Sequence, residues 1–65
     1  MKIYNGWILK IGGIDFAILG SMKIRGNQSY VLKSMTDGSK TSIGRDRLLA
    51  GMNDKSISYI GNFSD

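Results

Sequence analysis

The chain has 65 residues, with nine Lys or Arg against five Asp, a formal net charge of +4, and no histidine, cysteine or glutamate. Histidine and cysteine are the side chains best suited to proton transfer and nucleophilic attack near neutral pH, and they are the usual zinc ligands. The composition therefore argues against an enzyme and against a bound metal or cofactor. We expect one small domain over residues 1–65 that folds by core packing and strand pairing, without disulfides.

The N-terminal residues lack both the charged segment and the long apolar run of a signal peptide. The longest nearly uncharged run covers residues 14–22, which is less than half of the roughly 20 apolar residues that cross a bilayer as a helix. We therefore expect a cytoplasmic protein that does not enter a membrane.

The first element is predicted to be a β-hairpin. Gly12-Gly13 separates two runs rich in aromatic and β-branched residues, 7–11 and 14–19. A two-residue turn at these glycines makes every opposed pair on one face apolar, and a slip of one residue would mix the faces. The predicted pairs are Ile11 with Ile14, Leu9 with Phe16, and Trp7 with Ile18.

Two further hairpins are predicted to continue the same apolar face. A three-residue loop at 26–28 opposes Ile24 to Tyr30 and Met22 to Leu32. The pair Asp37-Gly38 favours a type I′ turn, in which both central residues have positive φ, and such a turn places Leu32 opposite Ile43 and Lys40 opposite Met35.

The pattern changes after the fourth predicted strand. Leu48, Leu49 and Met52 recur at helical spacing, which predicts a short helix near residues 45–52, and the β-rich run 56–60 predicts a last strand. The fold class is therefore mostly β, a small antiparallel meander of about five strands with one short helix before the last strand. This layout resembles that of Src-homology-3-like small barrels in topology alone, and an open sheet packed on the helix fits the same sequence.

Catalytic and phosphate-loop motifs are not recognisable in the sequence. Turns, strands, helix ends and the terminus account for the five aspartates, so we predict no catalytic pair. The run 38–41, Gly-Ser-Lys-Thr, matches only the last part of a phosphate-binding loop and precedes a strand instead of a helix. We predict no catalytic, metal-binding or cofactor-binding residues.

The basic residues form the predicted binding surface. Alternation along the strands places four of them on the outer face of the hairpins, where Lys10 can join them, and two more lie beside the helix start. These six are Lys23, Arg25, Lys33, Lys40, Arg45 and Arg47. The alternatives are ordinary solvated lysines, and arginines that pair with Asp46, Asp54 or Asp37.

Three functions fit this surface. The first is a non-enzymatic protein that binds nucleic acid through phosphate contacts on a cationic sheet face. Base stacking has little support, because Trp7, Phe16 and Tyr30 fall on the core face. The second is a protein-interaction or inhibitor module of the kind that phages and mobile elements encode, whose exposed strand edges pair with an acidic partner or with another copy. The third is an oligomer that sequesters a small anionic ligand such as a nucleotide.

Overall fold

The computed structural model describes residues 2–63 as one antiparallel sheet with a single helix. The elements, in chain order, are β1 (Trp7–Ile11), β2 (Ile14–Ile24), β3 (Asn27–Ser34), β4 (Lys40–Gly44), α1 (Arg45–Asp54) and β5 (Ile57–Asn62). The strand order across the sheet is β4-β3-β2-β1-β5. In the described residues β4 and β5 are the two edges and do not pair, so the sheet is open. The predicted five-stranded meander with a helix before the last strand is confirmed, and the helix runs two residues beyond its predicted end.

The β1–β2 hairpin has the predicted turn and register. Gly12 and Gly13 both have positive φ, 58° and 80°, as a type I′ turn requires. Ile11 pairs with Ile14 and Leu9 with Phe16, as predicted. The ladder ends with Ile8 opposite Ala17, one pair short of the predicted Trp7–Ile18 pair.

The predicted register of the β2–β3 hairpin is wrong. The turn has two residues, Arg25 and Gly26, and both have positive φ, 52° and 81°, so Ile24 pairs with Asn27. The register also shifts between Ile18 and Gly20, which leaves Leu19 as an extra residue in a β-bulge. A bulge reverses the alternation of side chains beyond it.

Met22 and Ile24 are therefore not part of the core, contrary to the prediction. Ser21 is the partner of Tyr30, and cross-strand partners share a face of the sheet, so Met22 and Ile24 lie on the opposite face from the buried tyrosine. They are 44% and 46% exposed. The predicted apolar face is continuous only as far as the bulge.

The β3–β4 connection is longer than the predicted two-residue turn. Lys40 pairs with Lys33 instead of Met35, and Leu32 pairs with Thr41 instead of Ile43. Side-chain hydrogen bonds hold the longer loop at residues 35–39. The Ser34 hydroxyl accepts the backbone N–H of residue 36 at 3.2 Å, and the Asp37 carboxylate accepts the N–H of residue 39 at 2.9 Å. These local bonds compete with a tight turn.

The core lies between one face of the sheet and α1. Its buried members are six side chains that pack as one cluster: Leu9, Ile18, Tyr30, Leu32, Leu48 and Ile57. The helix approaches β5 closely at Gly51, where an added Cβ would overlap the Ile57 side chain. A larger residue at this point would therefore force Ile57 or the helix to shift. No helix within residues 2–63 is long and apolar enough to cross a membrane.

Candidate nucleic-acid interface

The structure divides the predicted cationic face into two groups. Lys33 and Lys40 lie on the outer face, defined as the face of the sheet opposite α1, and are direct cross-strand partners. Lys10 lies on the same face, with its Nζ 3.3 Å from an Asp15 carboxylate oxygen. The placement of Lys23 and Arg25 beside Lys33 and Lys40 is wrong, because the bulge at Leu19 turns Lys23 to the helix side and Arg25 occupies the turn.

Lys23 and Arg25 instead join the two arginines at the start of α1. A polar cavity of about 310 Å³ lies between the β2–β3 turn and the helix start, and we call it the hairpin groove. Its lining consists of Gly26, Asn27, Gln28, Gly44, Arg45, Asp46 and Arg47. Lys23 is the cross-strand partner of Gln28, and Arg25 directly precedes Gly26. Four of the six predicted site residues therefore line or adjoin one groove.

The hairpin groove contains many hydrogen-bond donors. The Arg45 Nη1 donates to the hydroxyl oxygen of Tyr30 at 3.1 Å, and Tyr30 is only 3% exposed, so the guanidinium is anchored to the core. Gly44, the N-cap of α1, has an extended backbone and provides no side-chain cap. The first N–H groups of the helix therefore have no side-chain acceptor at the N-cap, and the positive end of the helix dipole favours an anion there.

The charge at this end of the molecule is strongly positive. Four cationic side chains, Lys23, Arg25, Arg45 and Arg47, lie at or next to the groove, and Asp46 is the one carboxylate in its lining. The lining includes no apolar side chain. Such a site suits a hydrated, multiply charged anion better than an apolar ligand.

The aspartates whose pKa is displaced have local structural roles. The pKa of Asp37 is lowered by hydrogen bonds from the backbone and hydroxyl of Ser39 and from Ser34. The pKa of Asp54 is lowered by the hydroxyl and backbone N–H of Ser56, the latter at 2.8 Å. Both carboxylates accept hydrogen bonds from the serine two positions later in the chain, as turn and cap residues do. The part of the chain that the structure describes holds no cluster of three or more potential metal-ligating His, Cys, Asp or Glu residues.

Sequence reasoning missed an aromatic cluster at the β5 edge. The ring centroid of Trp7 lies 5.8 Å from that of Tyr4 and 4.9 Å from that of Tyr59. Tyr4 and Tyr59 are each about half exposed. The pairing of β1 with β5 brings these rings together, and no local sequence pattern encodes that contact.

One feature of the sequence indicates the bulge at Leu19. Gly20 directly follows the apolar run Phe16-Ala17-Ile18-Leu19, and an isolated glycine in a strand is typical of a bulge. A bulge predicted at this glycine places Lys23 on the helix side of the sheet and Met22 on the outer face.

Comparison with known proteins finds no relative for this chain. No protein-family model matches it, and no match is found among curated proteins or solved structures. Function is therefore inferred from the chain's own residues.

Proposed function

We propose that this protein is a non-enzymatic nucleic-acid-binding protein that holds the phosphate backbone at the hairpin groove. The observation that carries the proposal is the gathering of Lys23, Arg25, Arg45 and Arg47 around one polar cavity at a helix N-terminus. Lys and Arg side chains, backbone N–H groups and helix N-termini are the groups that contact phosphates in nucleic-acid complexes.

The individual residues have distinct roles in this proposal. Arg45, anchored by Tyr30, presents a guanidinium whose position is fixed before binding, which lowers the entropy cost of a phosphate contact. Arg47 is exposed and contacts a second phosphate. The amides of Asn27 and Gln28 are the groove's candidates for contacts with base edges.

The proposal favours a polymer over a small anion because the cations extend beyond the cavity. Lys23 and Arg25 continue along the hairpin from the groove that Arg45 and Arg47 line. Contacts spread along a surface match a backbone of successive phosphates better than a single phosphate group.

The test is fluorescence anisotropy with mixed-sequence single-stranded DNA, duplex DNA and RNA, repeated over a range of salt concentrations. We expect the affinity for at least one of them to fall steeply with salt. Lys23→Gln should reduce the slope of log K against log salt by about 0.7 to 0.9, the effect of losing one phosphate contact. Lys40→Gln is the matched control, because it removes the same charge from the outer face and should leave the slope unchanged.

Three results would contradict the proposal. They are no binding to any oligonucleotide at low salt, binding that is insensitive to salt, and equal effects of the two lysine variants. Thermal stabilisation by free nucleotides without binding to oligonucleotides would instead support sequestration of a small anion.

A further inference from the structure

The outer face of the sheet exposes several large apolar side chains. Leu19, Met22, Ile24 and Met35 are each between 44% and 46% exposed. They lie along β2 and just beyond β3, on the face that α1 does not cover. Leu19 and Met35 line one cavity on that face, and an apolar patch at a surface marks a site of interaction. Met22 and Ile24 lie further along β2, toward the β2–β3 turn.

Part of this surface forms a cavity of about 280 Å³, which we call the outer cavity. Ala17 forms part of its lining, and Leu19, Met35 and Phe63 supply its larger apolar side chains. Lys33 also lines it, and none of the lining residues carries a carboxylate. The cavity is thus apolar with a cation at one side.

Lys33 and Lys40 leave an unbalanced positive charge beside the outer cavity. They are direct cross-strand partners, and like charges in that position repel and destabilise a sheet. Within residues 2–63 neither lysine forms an ion pair, and the carboxylate of Asp37 in the adjoining loop is engaged by Ser39. An anionic group placed between the two lysines would relieve their repulsion.

The charge and the lining of the outer cavity indicate which kind of molecule fits there. A second copy of this chain docked by the same face would bring lysines against lysines, which is unfavourable. The walls are aliphatic and thioether groups around one aromatic ring, without the arginines and amides of the hairpin groove, so they suit side chains better than bases. Methionines at a surface adapt their shape to a partner's apolar side chain.

We propose that the outer cavity is a docking site for an acidic segment of another protein. One leucine or phenylalanine side chain of that segment enters between Leu19, Met35 and Phe63, and a neighbouring carboxylate lies between Lys33 and Lys40. This site is on the opposite face of the sheet from the hairpin groove. The inference goes beyond the proposed function and does not depend on it.

The probe is a set of synthetic peptides added to the full chain. One peptide has a central Phe flanked by Glu residues, a second has Ser in place of Phe, and a third has Lys in place of Glu. Binding is measured by anisotropy and mapped by amide shifts in a nitrogen-15 spectrum. We expect the Phe peptide with Glu flanks to bind and to shift the amides of Ala17, Leu19, Lys33 and Met35, while the other two bind more weakly.

Variants separate this site from the hairpin groove. Lys33→Gln and Lys40→Gln should each raise the Kd of the acidic peptide about two- to fivefold, the range for one exposed ion pair. Lys23→Gln should leave it unchanged. The thermal midpoint of each variant is recorded, and a variant that does not fold is replaced by Leu19→Ser, which should weaken binding through the cavity alone.

Four outcomes would overturn the proposal. One is the absence of shifts at millimolar acidic peptide, and another is shifts confined to the hairpin groove. A third is displacement of the acidic peptide from the outer cavity by an oligonucleotide, which would make nucleic acid the occupant. The fourth is a stable dimer by native mass spectrometry with the outer face protected from hydrogen exchange, which would make a second copy the occupant.

Discussion

The two faces of the sheet use apolar side chains in different ways. On the helix face, Leu9 packs with Leu48 of α1 and both are completely buried, and a Cβ added at position 51 of α1 would overlap the Ile57 side chain. On the outer face, Leu19 and Met22 are each nearly half exposed, and no element of residues 2–63 covers them. Apolar groups on one face are therefore buried in the core, whereas those on the other remain exposed to solvent.

The two faces also carry their cations in different surroundings. The hairpin groove, at one end of the helix face, combines arginines with amides and glycine backbone. The outer cavity sets lysine beside leucine, methionine and phenylalanine. We therefore propose different partners for the two cationic sites, a phosphate backbone at the hairpin groove and an acidic, partly apolar protein segment at the outer cavity.

The largest expected effect is a difference in the free energy of unfolding between a variant on the helix side and a variant on the outer face. Leu48→Ala should lower the free energy of unfolding by about 2 to 5 kcal/mol, because it removes a fully buried side chain and leaves a cavity. Leu19→Ala should change it by less than about 0.5 kcal/mol, because the side chain is 45% exposed. Chemical denaturation measures both. Similar losses for the two variants would show that the outer face is part of the core, contrary to the comparison.

The second prediction concerns the closest approach on the helix face. Gly51→Ala adds a Cβ that overlaps the Ile57 side chain, so either that side chain or the helix must shift. We expect a loss of about 1 to 3 kcal/mol, although alanine is the better helix former. Gly20→Ala is the control, since a Cβ at Gly20 meets nothing within 4 Å and the residue does not have a positive φ. An increase in thermal midpoint for Gly51→Ala would mean that α1 packs more loosely than described.

The smallest expected effect lies at the β3–β4 loop, beside the outer face. The pKa of Asp37 is lowered in the folded protein by the hydrogen bonds from Ser39. A lowered pKa stabilises the fold above the unfolded-state pKa, and this contribution is lost as the pH falls through the folded-state value. Stability should therefore decrease below about pH 4, and Asp37→Asn should flatten that decrease. Thermal midpoints recorded between about pH 2 and pH 6 measure the change, and an unaltered profile in Asp37→Asn would contradict it.

The sequence predicts the strand register correctly where that register depends on neighbouring residues alone. At Gly12-Gly13 the turn and the apolar pairs specify the same register, and the prediction is confirmed. The β2–β3 register depends on a bulge at Leu19, whose cost and benefit are set by the whole sheet. The β3–β4 loop depends on side-chain hydrogen bonds of Ser34 and Asp37 that compete with a tight turn.

The site was only partly predictable for the same reason. All six basic residues were identifiable as candidates from their charge. Their division into two groups was not, since one extra residue at the bulge moves Lys23 to the other face. The contact between the helix start and the β2–β3 turn joins residues about 20 positions apart in the sequence, and no periodic pattern reveals it.

The proposed nucleic-acid site is tested most directly by mapping bound oligonucleotide on the protein. A nitrogen-15 spectrum of the full chain is titrated at low salt with the oligonucleotide that binds best. We expect the largest amide shifts in residues 26–28 and 44–47, with little change at Ala17, Leu19 and Met35. Shifts centred on the outer cavity, or no shifts at saturating oligonucleotide, would contradict it.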